Sequence, residues 1–202
     1  MMPHRVYSNW LGEQLAHSLW EFAVAEEARF RPGRIVEDGR SSGDVDISGR
    51  RSLVLRGLGP FDEVLRTKAL AAQSDLERAF GMPHVTATEI EIEAAAHRDG
   101  HFYRSHIDTF TRVGSATDDA RRLSLLYYFH RPPNRFAGGH LRLNGLGSGQ
   151  SVSFAPVCDT LIAFPSFLPH EVEPVSCPGG SFADSRFSVN IWICGPPVKR
   201  AP

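Results

Sequence analysis

The sequence predicts a mainly β fold of the α+β kind, a jelly-roll sandwich or barrel preceded by helices. Three observations carry that prediction. The texture changes after Pro83, where β-branched and alternating runs replace helical periodicity. Seven or eight such short runs follow, separated by Gly, Pro, Asn and Asp turns, which is the pattern of a sandwich or barrel rather than of a parallel sheet. The helical patterns are confined to the part before Pro83.

The first helix is expected over residues 8–28. Ser8 or Asn9 would cap it, and Trp10, Leu11, Leu15, Leu19, Trp20 and Phe22 recur at helical spacing as its core face. A second is expected over 61–80, with Phe61, Val64, Leu65, Leu70, Leu76 and Phe80 on one face and Gly81 and Pro83 as its stop. Between them Gly, Arg and Asp dominate, and only Ser52–Leu55 reads as a strand. Beyond Pro83, strands are expected at Thr86–Ala96, Phe102–Asp108, Leu123–His130, His140–Asn144, Ser151–Phe154, Thr160–Phe164, His170–Val175 and Arg186–Cys194. The chain therefore reads as one domain over 1–202, helical over 1–83 and β over 84–195.

Composition excludes several classes. At 42% apolar, 22% charged and a net charge of −1, the chain has the make-up of a globular protein and no broad basic face for nucleic acid. No apolar run approaches the ~20 residues that span a bilayer, and Met1–Tyr7 lacks a signal-peptide core. Cys158, Cys177 and Cys194 are an odd number without CxxC spacing, which points to reduced thiols. A soluble cytoplasmic protein is expected, with no nucleic-acid or membrane partner and no signal of oligomeric state.

His106-Ile107-Asp108 carries the chemistry. On a strand, residues i and i+2 share a face, so both side chains can reach one ion. His170, at the start of a later strand, is the best third ligand. Two neutral imidazoles and one carboxylate form a facial triad that leaves positions open for co-substrate and oxygen. Alternation puts Arg186, Ser188 and Asn190 on one face, opposite Phe187, Val189 and Ile191. A guanidinium and a hydroxyl pointing into a barrel need an anion, and a carboxylate suits them. Pairing of Arg186 with a core Asp or Glu is the alternative.

The run from Tyr103 to Trp192 resembles the prolyl-4-hydroxylase-like branch of the Fe(II)/2-oxoglutarate dioxygenases. The matching stretches are Tyr103–Asp108, Arg122–Phe129, Phe136–Leu143, Phe164–Ser166, Pro169–Val172 and Arg186–Trp192, in the family's order. The resemblance implies a double-stranded β-helix with supporting helices, and iron held by His106, Asp108 and His170. It implies that Arg186, helped by Ser188, binds the distal carboxylate of 2-oxoglutarate. Tyr128 is implied as a further co-substrate contact, and Tyr103, a pocket aromatic, as another. Fe(II), 2-oxoglutarate and O2 are the implied cofactors, and hydroxylation of an amino acid, a peptide or a small biosynthetic substrate is the implied reaction. Related halogenases replace the carboxylate ligand with a small residue; Asp108 keeps it, which favours hydroxylation. A cupin-like metalloenzyme without 2-oxoglutarate and a non-catalytic jelly-roll binding module are the rival readings.

Other features have blander readings. His130 and His140 are expected at the surface, and Arg50-Arg51 and Arg121-Arg122 on solvated faces, though Arg51 or Arg56 could meet an acidic substrate. His97 and His101 are candidates for the pocket wall. The polar segment 109–120 is a candidate lid, with Asp118 and Asp119 as turn residues or as contacts for a cationic group.

Overall fold

The computed structural model describes residues 2–33, 36, 37, 40, 41, 48–109, 120–147 and 149–196. Arg112, Gly114, Ser115, Asp118 and Asp119, from the candidate lid, lie outside the described residues.

Two antiparallel sheets enclose the site. The larger runs Arg5–Ser8, Thr160–Pro165, Ala120–Phe129, Arg186–Gly195, Glu89–His97, Leu53–Leu55, Arg31–Pro32. The smaller runs Ser151–Phe154, Leu141–Asn144, His170–Val172, Phe102–His106, Arg50–Arg51. Apart from the hairpin of Leu141–Asn144 and Ser151–Phe154, the chain from Glu89 onward passes back and forth between the two sheets, which makes the double-stranded β-helix of a jelly roll.

The period of two in the central strands builds two layers at once. Phe187, Val189, Ile191 and Ile193 point outward into a core shared with Leu19, Leu65 and Leu76 of the two helices. Each such side chain, removed from water, contributes about 1.5–3 kcal/mol. Leu126, Tyr128, Ile162 and Phe164 point the other way and meet Leu141 and Leu143 of the smaller sheet. Arg186, Ser188, Asn190 and Trp192 share that inner side and line a cavity.

The helices span Glu13–Ala25 and Phe61–Ala79. The first starts later than its periodicity predicts, and neither Ser8 nor Asn9 caps it. Ser8 ends an edge strand paired with Thr160–Pro165, and Asn9 is left-handed at φ 53°. The N-cap is Gly12, which has no side chain to offer. Asp159 supplies the acceptor instead: its carboxylate takes the Leu11 N–H at 2.8 Å, the Gly12 N–H at 3.0 Å and the Tyr127 hydroxyl at 2.9 Å. Asp159→Ala strands these donors, so a loss of about 3 kcal/mol is expected. In a chain of this size that is a fall in Tm of roughly 6–12 °C. Thermal melts followed by circular dichroism check it, and Asp159→Asn, which keeps an acceptor, should lose less than half as much.

Other expectations are corrected. Leu15 and Leu70 are exposed at 38% and 45%, because Ala16, Ala23 and Ala69 bring the helices close to the sheet. The N-terminal part is not only helical: Arg5–Ser8, Arg31–Pro32 and Arg50–Arg51 complete sheet edges. Of the paired arginines only Arg51 keeps a solvated face; Arg50, Arg121 and Arg122 do not. Neighbours on a strand point to opposite sides, and Arg122 reaches the carbonyls of Pro83 and Pro196 under the helix layer. Arg121 pairs with Glu91 at 2.6 Å on the other side, and buried Arg50 bonds Ser52 and Glu93. No helix among the described residues is long and apolar enough to cross a membrane.

Candidate active site

His106 and His170 lie opposite each other on adjacent strands of the smaller sheet. The first strand ends at His106, short of the expected Asp108. Asp108 still converges on the histidines because its backbone N–H is held by the Ser166 carbonyl at 2.9 Å. Nε2 of His106 is 3.6 Å from Oδ1 of Asp108, and Nε2 of His170 is 3.3 Å from Oδ2. All three donor atoms lie within 4.8 Å of one another.

The backbone sets the tautomers. Nδ1 of His106 sits 2.8 Å from the Arg104 carbonyl, and Nδ1 of His170 2.9 Å from that of Leu168. A carbonyl only accepts, so each Nδ1 carries a proton and Nε2 is the nitrogen turned toward Asp108, whose carboxylate, against burial, raises His170. Burial opposes the charge on Asp108, but His170 and His106 outweigh it and hold its carboxyl well below the usual range. Burial and the neighbouring His170 push His106 down, toward the neutral form that binds a cation. Two imidazole nitrogens and a carboxylate on one side of a point fit Fe(II). Ser124, which sequence reasoning did not select, donates to Oδ2 of Asp108 at 2.7 Å and is itself 2.8 Å from the Ser166 hydroxyl. Its alternation with Leu126 and Tyr128 was the available signal.

Tyr103 is on the metal side. Its ring stacks on His106, with centroids 3.6 Å apart and planes 16° from parallel, and Arg50 lies over it. Tyr128 is on the other side, with Arg186. The Arg186 guanidinium is fully buried and lies 4.8 Å from the Tyr128 ring centre. It donates Nε–H to the Gly139 carbonyl at 3.1 Å, Nη1–H to Ser188 at 3.1 Å and Nη2–H to the Tyr128 hydroxyl at 3.3 Å. No carboxylate among the described residues pairs with it. Gly139 must be glycine here: its φ is +67°, and a Cβ would press on Val175 and Arg186.

The triad and Arg186 face one cavity of about 500 Å3. His97 also lines it, whereas His101 does not. His130 bonds the Pro156 carbonyl and His140 lies beside Glu173, both away from the triad.

Residues 92–194 match the profile of the 2OG-Fe(II) oxygenase superfamily, half of the chain. The chain belongs to that family. The family uses Fe(II), 2-oxoglutarate and O2, and the triad's donor set and the buried guanidinium fit the first two. A PKHD-type hydroxylase of Synechocystis is 38% identical over 113 residues, 52% of this chain and 36% of that protein. The match therefore spans little more than a third of that relative's length. Among solved structures, a prolyl-4-hydroxylase of Pseudomonas putida aligns over 96% of this chain and 93% of its own, with TM-score 0.69 and 22% identity. A prolyl hydroxylase of Trichoplax adhaerens, in complex with a hypoxia inducible factor peptide fragment, aligns over 95% and 83%, with TM-score 0.68 and 20% identity. At these identities the structural likeness speaks for the fold.

Proposed function

We propose that this chain is a 2-oxoglutarate-dependent hydroxylase. His106, Asp108 and His170 hold Fe(II); Arg186, with Ser188 and Tyr128, seats the distal carboxylate of 2-oxoglutarate. The observation that carries the reading is Arg186. A buried cation without a counter-charge is costly, and this one faces a cavity shared with three metal-ligating side chains. A guanidinium has five N–H donors. Nε and one N–H on each terminal nitrogen are placed, which leaves one N–H on each prong for a bidentate carboxylate. The rival readings, a metalloenzyme without 2-oxoglutarate or a binding module, leave that charge without a partner.

Bound Fe(II) and O2 would supply the oxidising power that converts a C–H bond and 2-oxoglutarate into an alcohol, succinate and CO2. The chain's own residues position and exclude. The Nδ1–H bonds of His106 and His170 and the Ser124 hydroxyl aim the three donors. Tyr103 backs His106, and Leu141, Phe164 and Val172 make part of the cavity wall apolar. Burial lifts the Tyr128 phenol, so it keeps the proton that it would donate to the co-substrate. Arg31 and Arg56 also line the cavity, Arg56 bonding Glu93 through Nε at 3.2 Å. That suits the carboxylate of an amino acid, a peptide or a small biosynthetic acid as the molecule oxidised.

The test is anaerobic titration of the purified protein with Fe(II) and 2-oxoglutarate. A metal-to-ligand charge-transfer band is expected, with succinate formed on aeration. Absence of both rejects the reading.

A further inference from the structure

We propose that His97 is a further anchor of the 2-oxo acid co-substrate, donating its ring N–H to the carboxylate bound by Arg186, and that it selects a diacid over a monoacid. The proposal rests on the function proposed above for this cavity.

His97 ends the Glu89–His97 strand, and in the antiparallel register it stands directly opposite Arg186. Directly opposed residues have Cβ atoms about 5 Å apart and share a face. Both side chains line the cavity. His97 is 3% exposed, and neither of its ring nitrogens has a hydrogen-bond partner among the described residues. An imidazole hidden from water with both nitrogens idle is rare and calls for an explanation. The surroundings also set its form. Burial, then Arg186, then Arg50 press it toward the neutral state, which has one N–H to donate and one bare nitrogen.

A donor needs an acceptor, and His97 has cationic neighbours on two sides. The anion that the free prongs of Arg186 are shaped to hold would bring that acceptor beside the ring. A carboxylate has about four lone-pair sites. Two N–H groups of Arg186, the Tyr128 or Ser188 hydroxyl and the His97 N–H fill them. His101, whose Nδ1 is also unpartnered among the described residues, lies off the cavity wall and has no such role.

The experiment compares wild type, His97→Leu and His97→Asn, each loaded with Fe(II) under anaerobic conditions. The charge-transfer band reports Kd for 2-oxoglutarate and for 2-oxopentanoate, which lacks the distal carboxylate. For His97→Leu the 2-oxoglutarate Kd is expected to rise roughly ten- to a hundredfold, the worth of one hydrogen bond to a charged acceptor. The 2-oxopentanoate Kd should stay within about twofold, and Asn, which restores an N–H, should recover part of the loss. Equal weakening of both acids would mean a packing role, and no weakening would mean no role; either overturns the proposal. A wild-type protein that gives no band with 2-oxoglutarate rejects the function itself and is recognised before any variant is compared. If His97→Leu does not fold, the ring 15N shifts of His97 in Zn(II)-loaded wild type serve instead. They should move with 2-oxoglutarate but not with 2-oxopentanoate, and no movement overturns the proposal.

Discussion

Replacing Arg186 with leucine is expected to weaken 2-oxoglutarate binding by roughly a hundred- to a thousandfold, while iron affinity changes less than about twofold. The magnitude follows from burial. Arg186 is fully hidden, so its attraction for a carboxylate is not spread into solvent. Truncating one partner of a buried, hydrogen-bonded charge pair costs about 2–5 kcal/mol. The selectivity follows from placement. Arg186 sits among Gly139, Ser188 and Tyr128, whereas the triad is held by Arg104, Leu168 and Ser124; the two sets share no hydrogen bond. A thermal-shift measurement gives an independent reading. At a hundred times its Kd, the co-substrate stabilises the wild type by about 2.7 kcal/mol. At that same concentration, a variant with a hundredfold weaker site gains only ~0.4 kcal/mol. Equal losses of iron and 2-oxoglutarate binding would instead place Arg186 in the support of the whole site.

What was legible in the sequence follows physical range. The strand Arg186–Gly195 declares itself because both faces are written in alternation, polar toward the cavity and apolar toward the helices. The eight strands expected after Pro83 were found within a few residues of their predicted bounds for the same reason. Arg31–Pro32 and Arg50–Arg51 show no periodicity, since two residues have none. They are strands only through Leu53–Leu55 and Phe102–His106. The helix start was misplaced because its acceptor, Asp159, comes from 147 residues away.

The site divides the same way. His106 and Asp108 are two residues apart, so their convergence is local, and His170 follows from the strand that must return beside them. Arg186 and Ser188 were legible through alternation. The grip of Ser124 on Asp108 was not, because it depends on how the larger sheet packs over the end of the smaller one. Nor was the isolation of His97, since an unpartnered imidazole is known only when every neighbour is known. Tyr103 and Tyr128, both expected near the co-substrate, part company in space. One stacks on a triad histidine and the other bonds the guanidinium.

Asp108 carries the other large prediction. Asp108→Ala is expected to weaken Fe(II) binding at least a hundredfold, since loss of a mere supporting contact to a ligand already costs about ten- to a hundredfold. Hydroxylation should fall by roughly three orders of magnitude or more, because a misplacement of ~1 Å alone costs about a hundredfold. Asp108→Asn separates the causes. The amide keeps the shape, and one oxygen can still accept from Ser124 as the carboxylate does at 2.7 Å. It removes the charge that, against burial, Asp108 holds between the two histidines. If charge on the metal side is what matters, Asn should bind Fe(II) nearly as poorly as Ala while melting close to wild type. If Asn binds iron as the wild type does, the carboxylate serves to space His106 and His170, and the triad is reduced to two histidines. Fe(II) titration on both variants decides between these outcomes before any substrate is known, which makes Asp108 the earliest point at which the proposed chemistry can fail.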